Sequence, residues 1–299
     1  MISVIICTYN RDKYIYNTLK AVAENGLPTD EYEIILVNNN STDRTEEFCK
    51  LFQKDYPDIP YHYFMEENQG LSYARNRGIK QAHGDILLFL DDDAIIQENY
   101  FYNLKRHLKN YPYIMAFGGK IIPVFETGIT PKWYSKWTMS CVSTFDKGKK
   151  VNFFKGNSYP IGANMGVKAE CIAHVALFDT ELGRKKESLA GGEEKDFFLR
   201  MKKLNYPILY CPDVVVEHII PERRTTNEYV KNLAMGIGKS EKVRCYSQGR
   251  VSVIKRYISE LIKWGGALAI ASFYFITGRF SVAKMVIKFR FYITKGLIE

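Results

Sequence analysis

Asp91, Asp92 and Asp93 stand side by side after the apolar run Ile86-Leu87-Leu88-Phe89-Leu90. Three neighbouring carboxylates repel one another, so a cation or a set of hydrogen-bond donors must offset them. Oxygen ligands of this kind suit magnesium or manganese, with substrate phosphates completing the coordination shell. The bland alternative is a solvated acidic turn that caps the next helix. Arg75, within Leu71-Ser72-Tyr73-Ala74-Arg75-Asn76-Arg77-Gly78, lies one predicted helix upstream. A guanidinium there is well typed to hold a diphosphate, and is otherwise an ordinary surface arginine. The chain carries neither GxGxxG nor GxxxxGK[ST], which argues against a dinucleotide dehydrogenase and against a P-loop enzyme.

The elements that must position these groups read as strands alternating with helices. A short apolar run at 3–7 predicts a strand buried on both faces, 33–37 reads as a second buried strand, and 60–65 and 85–90 read as a third and a fourth. Helical stretches fall between them at 13–24, from 41–43 onward with Glu46 and Glu47 in the first turn, and at 71–82. Buried strands spaced by helices predict a mostly parallel sheet with right-handed crossovers. Ligands bind beyond the carboxyl ends of such strands. Three of those ends are polar here: Thr8-Tyr9-Asn10-Arg11, Asn38-Asn39-Asn40 and Asp91-Asp92-Asp93, and they are expected to converge on one crevice. From about 100 to 220 the pattern is less regular, with a basic, aromatic stretch at 133–155 and strand-like segments at 207–211 and 214–216. After Pro221 the chain reads as helical and basic.

A length of 299 residues with 46% hydrophobic, 25% charged and 14% aromatic content fits one large α/β domain, or a core domain with an appendage. These values exclude disorder as the main state, and no internal period suggests a solenoid or propeller. Six scattered cysteines, without a CxxC pair, read as core filler in a reducing compartment. The apolar run at 2–7 is too short for a secretory signal, so a cytoplasmic location is expected. Net charge is +9, and residues 251–299 hold eight Lys and Arg against Glu260 and Glu299. The apolar run 264–277 falls short of the roughly 20 residues that span a bilayer. With its cationic flanks it reads as one or two interfacial helices on an anionic membrane surface, peripheral on the inner face of the cell membrane. A helical appendage packed on the core or on a second subunit is the competing reading. No aromatic–basic motif accompanies the charge, so nucleic acid is not an expected partner.

The chain resembles family 2 glycosyltransferases of the GT-A fold. The resemblance runs through Ser3-Val4-Ile5-Ile6-Cys7-Thr8-Tyr9-Asn10-Arg11, Val37-Asn38-Asn39-Asn40-Ser41-Thr42-Asp43 and Asn68-Gln69-Gly70-Leu71-Ser72-Tyr73-Ala74-Arg75-Asn76. It continues in Gly84-Asp85-Ile86-Leu87-Leu88-Phe89-Leu90-Asp91-Asp92-Asp93, Gly162-Ala163-Asn164-Met165-Gly166, Gly191-Gly192-Glu193-Glu194-Lys195-Asp196-Phe197-Phe198-Leu199-Arg200 and Val216-Glu217-His218. These seven blocks, in family order over residues 2–220, are far more specific than any one of them.

The resemblance implies an α/β GT-A fold, a Rossmann-like, mostly parallel sheet flanked by helices with a helical C-terminal appendage. It divides the chain into a nucleotide-sugar half at 1–100, an acceptor and catalytic half at 101–220, and a basic helical region at 221–299. Thr8, Tyr9 and Arg11 would line the nucleotide pocket, Tyr9 against the base. Asn38 and Asn39 stand where the family usually places a carboxylate on the uracil ring, and an amide still offers a donor and an acceptor to a base edge. Arg75 would approach the diphosphate. Asp91 and Asp93 match the family's DxD, with Asp92 between them on the donor side, Asp93 the metal ligand and Asp91 also near the ribose. His218 would be a further ligand, since imidazole suits manganese, or is a satisfied histidine at a strand end. Glu193-Glu194 aligns with the family's Glu-Asp pair, whose second member deprotonates the acceptor hydroxyl, so Glu194 or Glu193 would be the base. Out of context the same acidic run is a charged helix start. Trp133, Gly162, Asn164 and Asp196 would serve the acceptor, although aromatics such as Trp133 also fill cores.

The implied activity is an inverting, metal-dependent transfer from a nucleotide-diphosphate sugar, a UDP-sugar first, to a hydroxyl of a saccharide or lipid-linked saccharide in surface polysaccharide assembly. Transfer to a polyprenyl phosphate, and a catalytically silent GT-A module acting as a membrane assembly partner, are the rival readings.

Overall fold

The computed structural model describes residues 1–183 and 192–299, so Gly191 of the sixth block lies outside the described residues. The first part alternates as expected: β1 (Ile2–Thr8), α1 (Ile15–Ala23), β2 (Tyr32–Asn38), α2 (Thr45–Asp55), β3 (Tyr61–Met65), α3 (Leu71–Gln81) and β4 (Ile86–Asp91). Strands β3, β2, β1 and β4 lie parallel in that order. Alternate residues of each strand enter opposite cores. Val4, Ile6, Ile34, Leu36, Leu88 and Leu90 pack on the face covered by α1 and α2. Ile5, Ile35, Val37, Leu87 and Phe89 pack on the other face, with α3 residues Ala74 and Ile79. Two-sided burial is the physical reason that these strands read as unbroken apolar runs.

Beyond β4 the sheet turns mixed. It includes β5 (Ala94–Ile96), β6 (Ala116–Phe125), β7 (Asn152–Phe153), β8 (Met165–Lys168) and β9 (Ile208–Ile220), with α4 (Tyr100–Asn110), α5 (Ile172–Val175) and α6 (Glu193–Lys203) between them. Strand β8 runs antiparallel to β4 and β6, and β9 antiparallel to β5 and β7. The two short strands expected at 207–211 and 214–216 are one continuous strand, β9. Cys211, Val214 and Val216 stay fully buried along it, so Pro212 does not end it.

The described residues form two compact units. One holds 1–123, 145–183 and 193–219; the other holds 124–144, Gly192 and 220–299. Segment 124–144, which the sequence division leaves in the middle third, therefore goes with the C-terminal helices α7 (Asn227–Ser247), α8 (Arg250–Ile276) and α9 (Phe280–Ile298). In that unit α7 and α9 approach at backbone contact. A Cβ on Gly238 would lie 2.2 Å from the Ile293 carbonyl oxygen, and one on Gly296 would lie 2.3 Å from that of Met235. Only glycine allows that spacing. Thr226 caps α7 by accepting a hydrogen bond from the Tyr229 amide.

Candidate active site

Register brings the polar strand ends together. Thr8 pairs with Asn38, and Cys7 pairs with both Val37 and Asp91, so the three carboxyl-terminal loops begin at one level of the sheet. Asn10 sits in the left-handed region at φ 54°. From there its amide donates to Ser41 Oγ, and its side-chain oxygen accepts from the Thr42 amide at 2.8 Å, which ties the first loop to the second. The Arg11 amide donates to Thr45 Oγ1.

The asparagines of the second loop work inward. Asn38 is fully buried; its oxygen accepts from the Ser41 amide and its nitrogen donates to the Tyr63 hydroxyl, each at 2.9 Å. Asn39 donates to the carbonyls of Glu66 and Asn68 and accepts from the Gly70 amide and Gln69 Nε2. Both hydrogens and both lone pairs of Asn39 are thus used within the protein. A carboxylate could not make the two donations, which accounts physically for an amide at this position.

Unlike a solvated turn, the acidic triplet is compensated, with Asp92 and Asp93 buried and Asp91 half-buried. Asp92 Oδ1 accepts from Arg11 Nε at 3.1 Å, and Arg11 Nη2 lies 3.8 Å from Asp93. Burial raises the Asp92 pKa to about 6; Arg11 opposes that rise, while Asp93 and Asp91 add to it. Antiparallel pairing of β5 with β9 sets Ala94 opposite His218, and the Ile219 amide donates to the Asp93 carbonyl. This pairing delivers His218 Nε2 to 2.9 Å from Asp93 Oδ1, with both side chains shut away from solvent. Asp91, Asp93 and His218 each present a ligand atom within 4.8 Å of the others. Two carboxylate oxygens and an imidazole nitrogen make a donor set that magnesium or manganese accepts.

Arg75 joins this cluster to the second acidic group. Its side chain is 3% exposed. One guanidinium nitrogen lies 3.2 Å from Glu193 Oε1, and the other lies 2.9 Å from Glu194 Oε1 and 3.9 Å from Asp91. The guanidinium also lies over the Phe178 ring, 5.4 Å from its centroid. Burial alone would lower the Arg75 pKa, but Glu194, Glu193 and Asp91 outweigh it and raise the value. Where the resemblance points Arg75 at a diphosphate, the geometry gives it two glutamates from the start of α6.

Those glutamates differ. Glu193 is 5% exposed, with Oε2 buried and without a hydrogen-bond partner among the described residues, whereas Glu194 is 19% exposed. Burial raises the Glu194 pKa to about 7; Arg75 pulls it down, and Glu193 and Asp91 push it up. Gly162 forms the floor beneath this pair. A Cβ there would lie 2.1 Å from Arg75 Nη2 and 2.2 Å from Glu194 Oε1.

The remaining expected residues fall as follows. Thr8 is buried at the end of β1, and Tyr9 follows it, half-buried. Asn164 is fully buried and turned into the core: it donates to the Lys120 and Val214 carbonyls and accepts from the Tyr100 hydroxyl. Asp196 accepts from Arg200 Nε at 2.8 Å within α6, and Arg200 in turn caps the carbonyls that end α5. Trp133 belongs to the other unit, where it packs on Cys141, Val230 and Met285. Sequence reasoning passes over Asn76, whose amide exchanges two hydrogen bonds with the Phe178 backbone, and Ser72, which donates to the Leu182 carbonyl. Their signal is a helix whose buried face is partly polar. Such a face needs partners, and here it holds the segment that carries Phe178 beneath Arg75.

Comparison with known proteins gives the family and the fold. The family model described as "Glycosyl transferase family 2" matches residues 3–174. A glucosyl-dolichyl phosphate glucuronosyltransferase of Haloferax volcanii is 26% identical over 250 residues, covering 81% of this chain and 76% of its own. A dolichyl N-acetyl-alpha-D-glucosaminyl phosphate 3-beta-D-2,3-diacetamido-2,3-dideoxy-beta-D-glucuronosyltransferase of Methanococcus voltae is 26% identical over 251 residues, covering 81% and 74%. In fold, the chain is similar to the mannosyltransferase PcManGT of Pyrobaculum calidifontis, solved in complex with GDP-Man and Mn2+. The TM-score is 0.65 at 17% identity, over 96% of this chain and 85% of that one. Seven sequence blocks, a sheet that gathers their polar ends into one acidic site, and a family match over more than half the chain lead to one conclusion: the protein belongs to glycosyl transferase family 2 and is a glycosyltransferase of GT-A fold.

Proposed function

We propose that this glycosyltransferase inverts the anomeric centre of a nucleotide-diphosphate sugar as it transfers the sugar to a hydroxyl of a lipid-linked saccharide. One observation carries the reading: Arg75 couples a carboxylate–imidazole cluster suited to a divalent cation to a largely buried glutamate that still reaches solvent and whose pKa lies near neutrality. The names of the two archaeal relatives, both transferases acting on dolichyl-phosphate-linked sugars, support the choice of acceptor.

Glu194 is the base. Of the two glutamates it is the one that reaches solvent, and a carboxylate poised near pH 7 is well matched to take a proton from a hydroxyl. Glu193 lies beneath, and Arg75, held by Glu193 and Phe178, fixes the Glu194 carboxylate from the side away from the acceptor. A single in-line displacement from the face opposite the departing diphosphate then inverts the centre. Asp91, Asp93 and His218 would hold magnesium or manganese, which supplies charge neutralisation to that diphosphate. Arg11, paired to Asp92, keeps the first loop closed over the donor side, where Thr8 and Tyr9 meet the nucleotide and Tyr9 stacks on the base. Asn38 and Asn39 act by shaping that pocket. Asn164 ties the turn that carries Gly162 to the core, and Asp196 steadies α6 through Arg200.

Calorimetric titration with nucleoside diphosphates, with and without manganese, tests the donor side. Manganese-dependent binding of one nucleotide, uridine diphosphate first, that is lost in Asp93→Ala is the expected result. Absence of binding by every nucleotide refutes the reading and favours a catalytically silent module. Full transfer activity in Glu194→Gln refutes the base assignment and favours a phosphate acceptor, which has no hydroxyl proton to remove.

A further inference from the structure

The N-terminal half of helix α8 is built inside out: its inward face carries charge, with Arg256 7% exposed and Glu260 3% exposed, whereas farther along Ala267, Ala271 and Tyr274 turn an apolar face inward onto α9. Glu260 accepts from Arg256 at 2.6 Å, from Arg290 of α9 at 3.0 Å and from Thr294 at 2.8 Å, and Arg256 reaches Glu241 of α7 at 3.3 Å. Burial pushes the Glu260 carboxyl up, but these hydrogen bonds outweigh it and hold its pKa below the usual range. A buried charged face requires ion pairing of this kind.

The outward face is apolar. Val251, Ile254, Ile258, Leu261 and Ile262 recur at spacings of three and four, Leu268 follows Leu261 by seven, and the stripe continues to Ile276. Leu261 and Ile262 are 72% and 71% exposed. A soluble amphipathic helix has the reverse arrangement, so this one has been shaped for a medium other than water. The apolar run seen in the sequence at 264–277 is only part of the stripe, which extends two turns and more toward the N-terminus.

Charge decides between the possible occupants. Exposed Lys255 and Lys263 flank the stripe, with exposed Arg250, Arg279 and Lys284 on α8, the following turn and α9. Among residues 250–298 the single acidic side chain is Glu260, and it is turned inward. A second copy docked through this face would oppose cation to cation, whereas an anionic lipid surface complements the rim. No helix of the described residues is long and apolar enough to cross a membrane, so the geometry suits a helix lying in the interface.

We propose that α8 is an interfacial membrane anchor: Val251 through Ile276 present an apolar stripe that enters the headgroup region, and the flanking lysines bind anionic lipid. This inference does not depend on the transfer reaction, because nucleotide titration tests the one and vesicle binding the other.

The experiment is co-sedimentation of the full chain with vesicles of pure phosphatidylcholine and of equimolar phosphatidylcholine and phosphatidylglycerol. Binding to the anionic vesicles should exceed binding to the neutral ones by about tenfold or more and should weaken with added salt. Leu261→Asn with Ile262→Asn should reduce anionic-vesicle binding by on the order of tenfold or more, with thermal unfolding unchanged because both side chains are exposed. Lys255→Gln and Lys263→Gln should each cost about fivefold, on anionic vesicles alone. Failure of the wild type to sediment with either vesicle, or wild-type binding by the double asparagine variant, overturns the proposal. So does a concentration-dependent dimer that the double asparagine variant dissociates while vesicles leave the protein unbound; that result assigns the face to a second copy.

Discussion

Replacement of Gly162 by alanine isolates the geometry on which the proposed base depends. The added methyl carbon would stand 2.1 Å from Arg75 Nη2 and 2.2 Å from Glu194 Oε1, where ordinary contact begins at 3.4 Å. The neighbours must therefore recede by 1.3 Å and 1.2 Å, the differences between those distances. Arg75 cannot follow, since it is buried, held on its far side by Glu193 at 3.2 Å, and lies over Phe178. Glu194 is the freer of the two, so its carboxylate moves and the 2.9 Å ion pair opens. Loss of a charge-assisted hydrogen bond of this kind costs about 1.5–3 kcal/mol, and a 1 Å misplacement of a reacting group costs about 10²-fold in rate. We expect Gly162→Ala to lower kcat by about 10²-fold in a nucleotide-release assay, with the KM for the donor within about threefold, and to lower Tm by about 4–8 °C. Combined with Glu194→Gln, the alanine should add little further loss, because both changes disable the same group. Activity within about threefold of wild type together with an unchanged Tm would refute the reasoning, since Gly162 would then not be wedged beneath the pair.

The pH dependence follows from Glu194. With its pKa raised to about 7, transfer should rise with pH through that value, and Glu194→Gln should remove both the ascending limb and about 10²-fold or more of the rate. A carboxyl raised from its ordinary 4.5 to about 7 stays protonated longer in the folded than in the unfolded chain. In the metal-free protein this group therefore makes stability fall as pH climbs through that window, and Glu194→Gln should flatten the fall in a denaturant titration series. Asn39→Asp replaces two donations to carbonyls with acceptor against acceptor, so Tm should drop by an amount equivalent to about 2–4 kcal/mol, while Asn39→Ala should fall less. Gly238→Ala should destabilise the helical unit, because its methyl meets the Ile293 carbonyl at 2.2 Å; an unchanged unfolding curve would show that α7 and α9 can separate.

The sequence by itself determined the alternation of buried strands and helices, the gathering of polar loops at the strand ends, and the family. Those features are local: an apolar run such as Ile34-Ile35-Leu36-Val37 is readable without neighbours, and the polar residues after it mark where the strand leaves the core. Tertiary structure decided the contacts. Asn38 and Asn39 read as base contacts because an amide can donate and accept, but which groups they meet depends on β3 and the loop that follows it, about 30 residues away in the chain. Arg75 carries the type expected of a phosphate ligand, yet its partners Glu193 and Glu194 stand more than a hundred positions downstream. The choice between Glu193 and Glu194 could not be made from spacing, since both stand in the first turn of α6 and only packing makes one more exposed. The same holds for α8. Its composition reveals an apolar, basic helix, but which face turns inward is set by Glu241, Arg290 and Thr294 on two other helices, and a buried charge goes where its partners are.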